Sequence, residues 1–220
     1  MIDAQNTIDL VKLRFYNEWL YNNHIYSEGE SGYHKDLTTQ FVTKYIDPLK
    51  LPKTANILDL GCGPGYFLDE MKSRKYKNIT GVTLSQDDID LCQSKGHNIK
   101  QYDLSFIPET DESVDLIWLR HALEHSPYPI FSLMEYNRVL KQNGKIYIEV
   151  PAPDCDRKHE HNLNHYSILG CEQLGALIQR TGFTIDIFDT ISFNLNINGT
   201  DVTEKFYIIM ATKTKSLDIK

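Results

Sequence analysis

The sequence predicts an α/β protein built on a doubly wound, mostly parallel sheet of seven strands with an antiparallel last strand. Three observations predict it. From residue 55 onward short apolar runs alternate with amphipathic stretches, the pattern of repeated βα units. The run Ile57-Leu58-Asp59-Leu60 enters a turn with glycine at 61, 63 and 65, and a helical stretch opens behind it at Tyr66. The last two apolar runs have no helix between them and read as a hairpin pairing 185–193 with 204–212.

Residues 1–50 are rich in aromatics and predict two helices, about 6–22 and 36–47, around the loop from Ser27 to His34. This segment is expected to act as a helical lid and acceptor pocket over a cofactor-binding domain at about 51–215. Pro48 and Pro52 bracket an extended lead into the first strand. Strands are expected near 56–60, 78–83, 98–102, 114–119, 145–150, 184–191 and 205–212, and helices near 66–75, 86–95, 128–140 and 167–181. Asn143-Gly144 and Thr181-Gly182 read as glycine stops at helix ends, and Ser167 as the N-cap of the last helix.

Composition narrows the function. The net charge is −7, which argues against nucleic acid as a substrate, since a phosphate backbone demands a basic face. Charged residues make up 24% and apolar ones 41%, as in a water-soluble globular chain, and no apolar run is long enough to span a membrane. The opening 20 residues lack the basic-then-apolar order of a signal peptide. Cys62, Cys92, Cys155 and Cys171 are scattered, as expected for reduced thiols in a cytoplasmic protein.

The glycine turn carries the most specific signal. A helix start behind such a turn offers unpaired N–H groups and a positive dipole end to a nucleotide-type ligand. The dinucleotide fingerprint needs glycine where Tyr66 stands, and the lysine of a P-loop does not occur. What remains, Asp59-Leu60-Gly61-Cys62-Gly63-Pro64-Gly65, closely resembles the first motif of the class I S-adenosyl-L-methionine (SAM) methyltransferases. The resemblance extends well over about 55–150, moderately over 150–215, and hardly over 1–50. It implies a Rossmann-like fold, SAM as cofactor, and a first set of cofactor contacts at Asp59, Gly61, Cys62, Gly63, Gly65 and Tyr66.

The resemblance continues along the strands. Members of the family often carry an acidic residue after the second strand to hold the ribose hydroxyls; this chain has Thr83. Its Gly-Val-Thr-Leu-Ser string is similar to cyclopropane-synthase-like relatives, which leaves Thr83, the Leu84 backbone or Gln86 to hold the ribose. The third strand ends at Asp103-Leu104, which by resemblance supply an acceptor for the adenine amino group and a backbone N–H for a ring nitrogen. The fourth strand runs into Arg120-His121-Ala122-Leu123-Glu124-His125, the segment that follows the methionine end of the cofactor in the family.

Histidines gather at the carboxyl edge of the expected sheet, at 121, 125, 159, 161 and 165. One of His121, His125 or His165 is a candidate general base, since imidazole titrates near neutral pH. His121-x-x-Glu124-His125 is alternatively a candidate metal cluster, and it resembles the Glu-x-x-Glu-His of ubiquinone-pathway O-methyltransferases. Both remain open, with a divalent metal not expected. His165-Tyr166-Ser167 is similar to a segment of sugar and secondary-metabolite methyltransferases. The expected acceptor is therefore an oxygen of a small polar molecule, with a sugar or nucleotide-sugar ranked ahead of a phenol or quinone. A binding-only protein and a SAM enzyme forming another bond are the competing classes, and the oligomeric state is left open.

Overall fold

Strand and helix alternate from residue 56 in the computed structural model, which describes residues 10–27, 29–197 and 199–217. Ahead of the alternation lie α1 (Leu10–His24) and α2 (Gly32–Phe41), the second running on through a wide turn at Val42–Ile46 and a short one at Asp47–Leu49. There follow β1 (Asn56–Leu60), α3 (Tyr66–Ser73), β2 (Asn78–Val82), α4 (Gln86–Ser94), β3 (Asn98–Lys100) and β4 (Val114–Arg120). The chain continues with α5 (Pro129–Val139), β5 (Leu140–Pro151), α6 (Cys171–Arg180), β6 (Phe183–Ile197) and β7 (Thr200–Lys213). The strands form one sheet in the order β3-β2-β1-β4-β5-β7-β6, with β7 antiparallel to both of its neighbours and the pairs from β3 to β5 parallel. This is the expected seven-stranded, mostly parallel sheet.

Side chains alternate across the strands with a period of two, so each strand feeds two cores. Leu58, Leu60, Ile117, Leu119, Ile146 and Ile148 face α5 and α6 and pack with Leu133, Tyr136, Leu174 and Ile178. Ile57, Leu116, Trp118 and Tyr147 face the other way, against Phe67 and Met71 of α3 and Phe41, Tyr45 and Ile46 of the N-terminal segment. At the centre of that face Trp118 stacks on Tyr147 with ring centroids 3.8 Å apart and on Phe67 at 4.5 Å. Burial of such a side chain stabilises the fold by roughly 1.5–3 kcal/mol. Thus α2 and the turns after it are part of the sheet's cover.

Several boundaries differ from expectation for local reasons. The first four residues of the first expected helix, 6–9, lie outside the described residues. α2 starts early because the Ser31 hydroxyl accepts the His34 N–H and caps it. α6 starts late because Ser167 donates its hydroxyl to the Leu123 and Ser126 carbonyls instead of capping a helix; Gly170 takes the cap position. Gly182 has φ of +86° after α6 as a glycine stop should, but at the other site Asn143, not Gly144, is left-handed. The hairpin is longer than expected, pairing residues out to Ile197 and Thr200. No helix among the described residues is long and apolar enough to cross a membrane.

Candidate active site

The carboxyl ends of β1, β2 and β4 open onto one cleft of about 190 Å³. Its floor is the glycine turn. Gly61, Gly63 and Gly65 have φ of +77°, +46° and +86°, conformations that side chains resist. A Cβ on Gly61 would stand 2.6 Å from the Ala122 Cβ, so the turn also depends on glycine for room. Gly61 and Cys62 both donate their N–H to the Val82 carbonyl at 2.9 Å, which docks the turn on β2. Around this floor stand residues 83–85 and Asp88, residues 102–106, residues 120–122, and residues 125–128. Asn17, Leu20 and Tyr21 of α1, with Ile25 and Tyr26, close the cleft from above, and Asn164 and Tyr166 close one side.

Of the residues singled out from sequence, Gly61, Gly63, Thr83, Leu84, Asp103, Leu104, Arg120, His121 and His125 line this cleft. The others sit behind it. Asp59 is 2% exposed beneath the turn, one carboxylate oxygen has no hydrogen-bond partner, and burial pushes its pKa well up. Cys62 is buried against the Cys92 thiol, whose contact together with burial pushes the Cys62 pKa up. Gly65 caps α3, and the Tyr66 hydroxyl accepts the Ser31 N–H, tying the loop after α1 to α3. Gln86 donates to Asp90 at 2.7 Å along the outside of α4. His165 backs His125, their rings edge to face at 4.9 Å.

Asp103 is held by a local turn, its carboxylate accepting the Ser105 N–H at 2.6 Å. Tyr21 of α1 reaches the same carboxylate; burial first, then Asp103, pushes the Tyr21 pKa up. Helix α1 is therefore hydrogen-bonded to the residue expected at the adenine end.

Arg120 and His121 enter a buried charge network that sequence spacing does not show. Arg120 donates to Glu149 of β5 at 3.0 Å and reaches Thr38 at 3.5 Å and His34 at 3.3 Å, both on α2. Burial and then the Arg120 charge lower the His34 pKa to about 4, so His34 is neutral and accepts from the guanidinium. His121 has φ of +51°, a left-handed conformation that costs energy for a non-glycine residue. The twist sends its ring to Glu149, 3.0 Å from Nε2, with Glu124 at 3.6 Å from Nδ1 and Phe206 edge-on at 4.6 Å. Burial alone would depress its pKa, but the carboxylates of Glu149 and Glu124 outweigh burial and raise it to about 9. Glu149 is fully buried, yet Arg120 and His121 hold its pKa down at about 2.

His125 is placed differently. Its Nδ1 lies 2.9 Å from the Asn164 carbonyl and its Nε2 3.2 Å from the Tyr26 hydroxyl. His165 lies with Nδ1 2.9 Å from the His159 carbonyl and Nε2 3.2 Å from the Asn162 amide, and burial lowers its pKa. Among the described residues the trio with converging ligand atoms differs from the candidate set of His121, Glu124 and His125 by having His165 in place of His121. The ligand atoms of Glu124, His125 and His165 lie within 4.8 Å of one another.

A doubly wound sheet with a glycine turn under a cleft at its carboxyl edge, closed by a reversed last strand, defines the class I methyltransferase fold. The chain belongs to the family described as "Methyltransferase domain", whose profile matches residues 33–186. It is 22% identical over 201 residues to 27-O-demethylrifamycin SV methyltransferase of Amycolatopsis mediterranei, spanning 84% of this chain and 74% of that protein. It is 26% identical over 143 residues to ubiquinone biosynthesis O-methyltransferase of Coxiella burnetii, spanning 62% of this chain and 58% of that one. A SAM-dependent methyltransferase from Archaeoglobus fulgidus shares the fold, with a TM-score of 0.65, 21% identity and coverage of 81% and 94% of the two chains. The protein is a methyltransferase that uses S-adenosyl-L-methionine. The cleft suits that group: two bare left-handed glycines on its floor leave the backbone open to a ligand, and an orphaned Asp59 oxygen lies beneath them.

Proposed function

We propose that the protein methylates a hydroxyl oxygen of a small aromatic acceptor, a phenol or quinol, with His125 as the general base. One observation carries this reading. The Asn164 carbonyl can only accept, so Nδ1 of His125 donates to it and Nε2 is the nitrogen left to take a proton from the cleft. There it already meets a phenol, that of Tyr26, at 3.2 Å. An acceptor hydroxyl in that place would pass its proton to Nε2 as its oxygen takes the methyl group.

Phe106, Tyr128 and Tyr166 line the same cleft as His125, which favours a ring over a sugar and reverses the ranking expected from sequence. The names of the rifamycin and ubiquinone relatives support an oxygen acceptor on a quinone-related nucleus. His165 serves as a neutral backing for His125, and His121, charged near neutral pH, serves the electrostatics of the site. SAM supplies a methyl group already activated on a sulfonium, so alignment and exclusion of water are the protein's main tasks. We assign the exclusion to α1 and Tyr26, with the acceptor pocket beneath them. Four free thiols suit a cytoplasmic setting.

The test is His125→Ala, assayed with a panel of catechols and quinols. Turnover should fall on the order of 10²-fold while SAM titrates normally. Normal turnover would dismiss His125 as the base. A metal-assisted version of the same transfer is favoured by the convergence of Glu124, His125 and His165. We expect chelation to leave activity intact; its loss, with recovery on adding a divalent ion, would select the metal version.

A further inference from the structure

Three serine hydroxyls meet beside the cleft, each from a different part of the fold. Ser105 lies in the loop after β3, Ser126 in the loop after β4, and Ser132 on the first turn of α5. Their Oγ atoms form a closed triangle. Ser105 and Ser126 are 3.2 Å apart, Ser105 and Ser132 2.8 Å, and Ser126 and Ser132 2.7 Å. The residues are 2%, 1% and 0% exposed, in chain order.

A buried hydroxyl has one proton to donate, and leaving it without an acceptor is costly. The triangle meets that need internally. Ser126 Oγ accepts the Tyr128 N–H at 3.1 Å, so its own proton goes to Ser105 or Ser132. Apolar side chains would fill the same space without any such demand. Hydroxyls add direction, and three of them fix three separations at once.

What they fix is the cleft. Ser105 and Ser126 both line it. The Ser105 N–H is donated to the Asp103 carboxylate at 2.6 Å, so Ser105 holds the loop expected at the adenine end. Ser126 directly follows His125, and its carbonyl accepts the Ser167 hydroxyl at 3.1 Å. The direct bond between the two loops is the longest of the three, and the two shorter bonds run through Ser132. We infer that Ser132, on α5 behind the cleft, is a positioning residue that acts through Ser105 and Ser126 to hold the two loops at the separation cofactor binding requires. The inference rests on SAM lying in this cleft. It is independent of which acceptor is methylated and of the group that takes its proton.

The experiment is titration calorimetry with S-adenosylhomocysteine on wild type, Ser132→Ala, Ser105→Ala, the double variant and Gly63→Val, with melting followed by circular dichroism. Loss of one or two neutral hydroxyls is within what a domain of this size tolerates, so the serine variants fold. Ser132→Ala should bind about 10-fold more weakly than wild type, although it removes nothing from the cleft lining. The double variant should bind within about 2-fold of the weaker single one, because both residues act through one contact. A Ser132→Ala protein that melts lower but binds as wild type has lost only stability, and that result would overturn the inference. Losses that multiply in the double variant would overturn it too. Gly63→Val separates the two levels of the argument. If it loses binding while Ser132→Ala keeps it, the inference alone fails. If Gly63→Val also binds as wild type, the cofactor lies elsewhere and the inference falls with that placement.

Discussion

The buried pair of His121 and Glu149 makes the stability of the fold depend on pH in a defined window. His121 has a folded pKa of about 9 against an ordinary value of 6.5. At pH 7 the folded chain therefore holds an imidazolium where the unfolded chain holds mostly neutral imidazole, and the difference favours folding. The contribution is full below about pH 6.5 and is lost as pH rises through about 9. Linkage puts it at roughly 2–3 kcal/mol at pH 7 and well under 1 kcal/mol at pH 9. The groups that set it are Glu149 on β5, Glu124, Arg120, His34 on α2 and Glu204 on β7. Raising pH from 7 to 9 should thus remove about 2 kcal/mol, or roughly 4–8 °C in melting temperature for a domain of this size. The comparison is urea unfolding of wild type and His121→Asn at both pH values. Asparagine tolerates the left-handed backbone at this position and cannot titrate. Groups that titrate in both proteins cancel. Equal losses in the two proteins would refute the account of the charged His121.

Two further outcomes concern the cofactor. Gly63→Val should abolish SAM binding in calorimetry while circular dichroism stays that of a folded protein, because Gly63 forms the cleft floor at a φ of +46°. Asp103→Ala should weaken SAM by roughly 1–3 kcal/mol, the loss of a charge-assisted hydrogen bond at the adenine end. A change in acceptor KM alone would place Asp103 outside the cofactor pocket.

The glycine turn was legible in the sequence because its requirement is local: three bare positions at left-handed dihedrals, behind a strand. The sheet was legible for a related reason, since alternating apolar runs fix both strand existence and face. The histidine cluster was legible as composition but not as geometry. Spacing placed His121 beside Glu124 and His125, yet its left-handed φ turns the ring to Glu149, 28 residues further on and across a strand pairing. That partner follows from sheet register, which neighbouring residues do not encode. The hairpin ran on beyond its apolar part because Asn194, Asn196, Asp201 and Thr203 pair through the backbone, where polarity is no guide.

The ring stack across the sheet has a spectroscopic consequence. The chain has two tryptophans. Trp118 is sealed between Phe67 and Tyr147, while Trp19 on α1 is half exposed. An indole in an apolar sandwich emits at shorter wavelength than one in water. The long-wavelength component therefore belongs to α1 and the short-wavelength component to the sheet. Emission from the unlabelled protein can separate movement of α1 over the cleft from melting of the core beneath it.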